Sequence, residues 1–216
     1  EVAACLELDR VLEANAGDWF VDEVRSFIAR TLRRLDLTAR SLYALIEPGS
    51  CFAGTLFEIA LAADRSYMLY DKDQPAALAL SAMNGGAYPM THGMTRLGVR
   101  FYGDPEKAAV IAGAPRVYDP TDAEEAGLVT VVADEIDYAD EVRVAVEERV
   151  SLSPDALTGM EASLRFPGGE NGDSKIFARL SAWQNWIFQR PNAVGPTGAL
   201  TLYGKPERPV FDFRRT

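Results

Sequence analysis

Apolar and polar positions alternate along this chain with a period that changes several times. Between Asp18 and Leu35, the residues Phe20, Val24, Phe27, Ile28, Thr31, Leu32 and Leu35 recur at steps of three and four. Asp22, Glu23, Arg25, Arg30, Arg33 and Arg34 fill the other side. That spacing predicts an amphipathic helix, with Gly17-Asp18 as its break and cap. An earlier helix is predicted over Val2 to Ala14. Ser41 to Ile46 is short, apolar and rich in aromatic and branched residues, and Pro48-Gly49 stops it, so it reads as a buried strand. Ser50 to Thr55 is a loop of small residues, and the alanine-rich run Leu56 to Ala63 suits a buried helix ended by Asp64. Ser66 to Tyr70 and Ala76 to Ala82 read as two more strands. Strand, small-residue turn, buried helix, strand is the order of an α/β fold.

The second half is more helical. A glycine- and proline-rich stretch, Asn84 to Gly98, is followed by predicted helices at Asp104 to Ala112, Thr121 to Ala126 and Tyr138 to Leu152. A short strand, Gly127 to Val132, separates the last two, and another helix starts near Pro154. Phe166 to Asp173 reads as a glycine-rich linker. Lys175 to Phe188 is a last predicted helix, with Ile176, Phe177, Leu180, Trp183, Ile187 and Phe188 on one side. After Arg190-Pro191 the pattern predicts an extended, proline-punctuated arm, and no internal repeat is visible.

Composition narrows the function classes. The 216 residues carry 22 Lys+Arg against 32 Asp+Glu, a net charge of −10. A chain this long folds without staples, and its acidity argues against a nucleic-acid partner, which needs clustered cations. The two cysteines, Cys5 and Cys51, have neither metal-ligand spacing nor the density of a disulfide scaffold, and they suit a reducing, cytoplasmic compartment. The opening EVAACLELDR has no basic-then-apolar signal pattern. Glu58, Asp64 or glycines cut the apolar stretches well before the ~20 residues a membrane span needs. His92, the sole histidine, lies in a turn-rich stretch with no nucleophile beside it, so it reads as structural or exposed.

The segment that carries chemistry is Ala44 to Asp64. Backbone N–H groups at Gly54 and Thr55, at the positive end of the following helix, face a strand end and suit a developing oxyanion. Glu58 sits in the first turn among Phe57, Ile59 and Leu61. Burial there would raise its pKa toward general acid–base work, although the helix dipole alone also favours Glu at such a place. Glu47 before Pro48 reads either as a second group at the cleft or as a surface turn. Cys51 reads either as an activated thiol or as a small packing residue.

Glu58-Ile-Ala-Leu-Ala-Ala-Asp64 after a strand and a small-residue loop resembles the crotonase (enoyl-CoA hydratase/isomerase) superfamily. Thr95-Arg-Leu-Gly98, Ala108 to Gly113, Ala123 to Val132 and Ser153-Pro-Asp155 match its pattern in order. The resemblance implies a partial α/β crotonase (ClpP/crotonase-like) fold, with short strands followed by a helical C-terminal region. It assigns residues 1–165 to a crotonase-like domain lacking its first strands, and 166–216 to a linker, an aromatic helix and an arm. Leu42 to Leu56 and Leu180 to Gly195 look like the C-terminal half of a two-region branch of the family. That branch opens the ring of an aromatic acyl-CoA, 2,3-epoxy-2,3-dihydrobenzoyl-CoA, with two waters, giving 3,4-dehydroadipyl-CoA semialdehyde and formate in aerobic benzoate degradation.

By that resemblance no metal or redox cofactor is needed, and coenzyme A enters as part of the substrate. The implied partners are an N-terminal crotonase-like region of the same polypeptide and further copies in a homo-oligomer. The pattern is incomplete here: the family's second carboxylate falls at Ala82, its oxyanion glycine falls at Thr55, and its first strands are missing, so the chain is expected to be a piece of a longer enzyme. Two further readings accompany this one: a non-catalytic structural or dimerisation domain of that enzyme, and a stand-alone hydratase or isomerase. The aromatics Phe177, Trp183, Trp186 and Phe188 suit an interface. Lys175, Arg179 and Arg190 are either CoA-phosphate contacts or solvated helix charges.

Overall fold

A computed structural model describes residues 2–215. Its first two helices are α1 (Val2–Ala14) and α2 (Trp19–Asp36), and Asp18 caps α2 by accepting from the Phe20 and Val21 N–H groups. Strand β1 (Tyr43–Ile46) leads through the small-residue loop into a 3₁₀ turn, Gly54–Leu56, and then the short helix α3 (Phe57–Leu61). Strand β2 (Arg65–Tyr70) follows. The Asp64 side chain accepts from Leu42 N–H, and its own N–H donates to the Leu42 carbonyl, which fixes the start of the β1–β2 pair.

Beyond β2 come β3 (Leu78–Ala79), a 3₁₀ turn at Ala82–Gly85, α4 (Arg96–Arg100), α5 (Pro105–Gly113), β4 (Val117–Tyr118), α6 (Pro120–Ala126) and β5 (Val131–Asp134). Strands β1, β2 and β5 form one parallel sheet in that order, with Tyr43 opposite Arg65 and Tyr67 opposite Val131. β3 and β4 make a separate antiparallel pair. Helices α5 and α6 each begin with an Asp cap followed by proline, the residue whose missing N–H costs nothing at a helix start. Gly127 ends α6 at φ 75°, a left-handed conformation that glycine adopts without a Cβ penalty.

Contacts group the chain into two compact units. The first comprises the residues up to Leu37 together with Leu42–Val142. Its core is formed by Ile46, Phe57, Met68, Leu78, Leu97 and Leu128, and a smaller apolar cluster of Leu12, Leu32, Met83 and Tyr88 lies under α1 and α2.

The second unit comprises Thr38–Ser41 and the chain from Arg143 onward. It holds most of α7 (Tyr138–Val150), then α8 (Pro154–Leu164), a π-helical stretch at Ser174–Leu180, α9 (Ser181–Ile187) and α10 (Pro191–Val194). Glu161, 1% exposed, is its polar centre: Ser41 Oγ donates to it at 2.6 Å, and Arg165 and Arg149 pair with it at 3.3 and 3.6 Å. Gly159 lets Trp183 and Ile187 pack close, since a Cβ there would lie 3.3 Å from Ile187 Cδ1. The glycine-rich stretch 166–173 lies inside this unit.

Several elements differ from the sequence reading. The strand expected over Ala76 to Ala82 contracts to two residues, because Ser81 turns the chain into a 3₁₀ helix through a capping box with Asn84. The glycine- and proline-rich stretch ends in α4, capped by the Thr95 side chain accepting from Gly98 N–H. The aromatic helix is π-wound in its first half. Ser181 Oγ donates to the Ile176 carbonyl five residues back, so the hydroxyl sits among the main-chain acceptors there. The arm after Arg190 begins with the short helix α10 rather than running extended. Asn192 then ties the arm back, exchanging two hydrogen bonds with Asp212 backbone.

Candidate functional site

The loop before α3 and the 3₁₀ turn bring Gly54, Thr55 and Glu58 together in the first unit, all buried. Gly54 has φ +50°, and a Cβ there would lie 1.9 Å from Asp9 Oδ2, so both the turn and the approaching carboxylate require glycine. Asp9 comes from α1 and is 2% exposed. Its Oδ2 accepts from Thr55 N–H at 2.8 Å and from Ser81 Oγ at 2.5 Å, and its Oδ1 accepts from Thr55 Oγ1 at 2.5 Å. Thr55 Oγ1 also lies 3.1 Å from the Tyr88 hydroxyl. Burial, with the Asp9 charge adding to it, pushes that phenol above its ordinary pKa against the lowering contact with Thr55. The Thr55 N–H is therefore occupied by a carboxylate of the same chain, a charge-assisted arrangement in a dry setting.

Glu58 lies on the next turn. Its Oε1 accepts from Asn84 Nδ2 at 2.8 Å and its Oε2 from Arg96 Nη1 at 3.1 Å. The Arg96 Nη2 group binds Asp36 Oδ1, at the end of α2, at 2.8 Å. The side chains of Arg96, Glu58 and Asp36 are 1%, 2% and 1% exposed, so two carboxylates share one guanidinium out of water. Burial pushes Glu58 above the ordinary carboxylate range. Asn84 and Arg96 act the other way, and the Asp36 charge adds to the rise. Among the described residues Arg96 Nε and Asp36 Oδ2 find no hydrogen-bond partner.

Asp9, Asp36, Asn84 and Arg96 are the residues that sequence reasoning missed. Asp9 follows Cys5 by one helical turn and precedes the buried Leu12, so it interrupts an apolar stripe of α1, and that is the signal which was available. Ala82, where the sequence resemblance would set a second carboxylate, opens the 3₁₀ turn between Ser81 and Asn84, whose side chains reach Asp9 and Glu58.

The other candidates lie elsewhere. Glu47 is exposed at the end of β1. Burial, then the Glu47 charge, pushes the Tyr138 phenol strongly upward. Cys51 is exposed in the loop, and the thiol of half-buried Cys5 reaches its carbonyl at 3.5 Å. His92 is exposed. In the second unit Arg190 binds the buried Asp155 at 3.2 Å and stacks over Trp186, and Arg179 binds Glu170 at 2.9 Å. Phe177 and Phe188 are largely exposed, whereas Trp183 and Trp186 pack edge to face and are half-buried. Among the described residues no group of three or more His, Cys, Asp or Glu is placed to hold a metal, and no helix is long and apolar enough to cross a membrane.

No protein-family model matches the chain. The fold is that of the crotonases. The chain superposes on an enoyl-CoA hydratase from Geobacillus kaustophilus HTA426 with a TM-score of 0.65 and 18% identity, covering 92% of this chain and 71% of that one. It superposes on an enoyl-CoA hydratase/isomerase from Cupriavidus metallidurans CH34 with a TM-score of 0.64 and 20% identity, covering 98% and 76%. In sequence the chain is 55% identical over 211 residues to the benzoyl-CoA-dihydrodiol lyase of Aromatoleum evansii. The match takes in 97% of this chain and 38% of that lyase, so the chain spans about two fifths of the relative's length.

Proposed function

We propose that this chain is part of a CoA-thioester ring-opening lyase acting on an aromatic acyl-CoA, 2,3-epoxy-2,3-dihydrobenzoyl-CoA. In that reaction two waters are consumed, the ring opens to 3,4-dehydroadipyl-CoA semialdehyde, and one carbon leaves as formate. The observation that carries this reading is the 55% identity to benzoyl-CoA-dihydrodiol lyase along almost the whole chain. The crotonase fold supports it, since that scaffold aims backbone N–H groups at the position where a thioester oxyanion develops. No metal or redox group enters this reading, and the substrate brings its own coenzyme A. The test uses the full-length protein with the epoxide substrate. One formate released per CoA ester consumed is the expected result. Hydration of a simple enoyl-CoA without formate would replace this reading with a stand-alone hydratase.

Within such an enzyme the geometry favours a structural role for this segment. Thr55 N–H, the donor a thioester oxygen would need, already serves Asp9 at 2.8 Å, and both oxygens of Glu58 are engaged by Asn84 and Arg96. A substrate carbonyl entering there would have to displace a carboxylate held by three hydrogen bonds. Glu58 could move a proton to or from a substrate only by giving up its buried hydrogen bonds to Asn84 and Arg96. Acid–base chemistry on the acyl group then belongs to another part of the polypeptide. Titrating the isotope-labelled protein with benzoyl-CoA checks this: the Thr55 amide resonance stays in place, whereas a saturable shift there would return the site to catalysis.

A further inference from the structure

The chain has two cysteines, and the side chain of one meets the backbone of the other. Cys5 projects from α1, and its Sγ reaches the Cys51 carbonyl at 3.5 Å. After burial, the neighbouring Cys51 contributes to raising the Cys5 pKa, and the Asp9 charge adds to it. Cys5 is half-buried and Cys51 is exposed, so Cys51 is the residue more open to a dissolved oxidant.

The pair has a fixed relation to the filled site. Cys5 and Asp9 are one helical turn apart on α1, and Cys51 precedes Thr55 by four residues. The thiol contact and the carboxylate contact both join positions 46 residues apart. The two contacts are successive rungs between α1 and the loop that enters α3. Cys5, Asp9 and Thr55 also share the wall of an apolar cavity of about 290 Å³, with Leu8, Phe27 and Ile59.

We propose that Cys5 and Cys51 form a reversible intramolecular disulfide that locks α1 onto the loop and holds Asp9 on the Thr55 N–H. The oxidant is a low-molecular-weight disulfide such as glutathione disulfide. The exposed Cys51 thiolate attacks one of its sulfurs, the glutathione S–S bond breaks, and one glutathione thiolate leaves with the electron pair. The Cys5 thiolate then attacks the Cys51 sulfur of the mixed disulfide and displaces the second glutathione thiolate. Two protein thiols are oxidised, one small disulfide is reduced to two thiols, and the two protons released by the cysteines are taken up by the departing thiolates. Because Cys5 is held above its ordinary pKa, the second step speeds up as pH rises through that value. Closure constrains 46 residues of chain, a loop long enough for a cross-link to restrict the unfolded ensemble strongly. The inference stands apart from the proposed lyase activity.

The experiment incubates the whole protein with glutathione disulfide, blocks remaining thiols under denaturing conditions, and measures mass and amide exchange. The expected product is a monomer two hydrogen atoms lighter than the reduced form, without bound glutathione, yielding one peptide pair joined through Cys5 and Cys51. Its Thr55 amide exchanges at least about tenfold more slowly than in the reduced protein, a lower bound well inside the stabilisation a cross-link of this span can bring. Cys5→Ser stops at the mixed disulfide on Cys51 and shows no slowing, which separates the clamp from simple modification. A wild-type protein that retains glutathione on Cys51 with Cys5 open to alkylation would overturn the proposal. So would a disulfide between two copies, or a Cys5–Cys51 link that leaves Thr55 exchange unchanged.

Discussion

The two units each bury a cluster of charges, and the stoichiometry of the clusters is opposite. In the first, Glu58 and Asp36 share Arg96, with all three side chains at most 2% exposed. In the second, Arg165 and Arg149 share Glu161, and the arginines keep 8% and 21% of their surface in water. An excess of buried negative charge has no route to solvent in the first cluster, and burial therefore lifts Glu58 above its usual pKa. The excess positive charge of the second is relieved by main-chain oxygens, since Arg165 also donates to the Thr38 and Arg40 carbonyls, and by the exposed part of Arg149. The same residue types thus give a pH-sensitive cluster in one unit and a structural clasp in the other.

Removing the shared ion should hurt the first cluster most. Arg96→Met leaves two buried carboxylates without a cation and should cost about 3–5 kcal/mol in urea unfolding. A loss below 1 kcal/mol would mean that water reaches the cluster. Glu161→Gln should cost less, about 1–3 kcal/mol, because its arginines retain carbonyl partners and partial solvation. Arg149→Met should cost under about 1 kcal/mol, the value of a partly exposed pair. If Glu161→Gln proved as damaging as Arg96→Met, the two clusters would not differ in how far solvent relieves them.

The pH dependence sharpens the same contrast. A carboxyl group whose folded pKa lies above its unfolded value binds more protons when folded. Its stabilising contribution is complete below the unfolded pKa and is lost as pH rises through the folded value. Stability should therefore decline as pH climbs from the ordinary glutamate range. Glu58→Gln, which leaves Arg96 with Asp36 alone, should flatten that decline and gain on the wild type as pH increases. Melting curves across a pH series measure this, and parallel curves for the two proteins would count against a raised Glu58.

What the sequence revealed followed the range of the interactions. The amphipathic α2, its Asp18 cap and the Gly127 stop are written within a few neighbouring residues and were legible, whereas α6 starts at Asp119-Pro120, ahead of the predicted Thr121. The shortened β3 and the start of α4 were not, because each depends on one capping side chain, Ser81 or Thr95, inside a glycine-rich stretch. In the candidate site, the local trio Gly54, Thr55 and Glu58 could be read from spacing. Their partners could not. Asp9 lies 46 positions from Thr55, and Arg96 lies 38 from Glu58 and 60 from Asp36. A carboxylate inside an apolar stripe was the only local trace of Asp9, and an arginine in the Thr-Arg-Leu-Gly block the only trace of Arg96.

In the structural role proposed for this segment, Asp9, Asn84 and Arg96 fill the places around Thr55 and Glu58, and Glu58 takes no part in turnover. Turnover of the full-length enzyme carrying Glu58→Gln tests it most directly, with the melting temperature measured on the same sample. The account predicts a kcat within about twofold of the wild type alongside a changed, pH-dependent melting temperature, since general acid–base groups contribute about 10²–10⁴-fold and Glu58 would contribute none of it. A loss of 10²-fold or more at an unchanged melting temperature would contradict it and make Glu58 the acid–base residue.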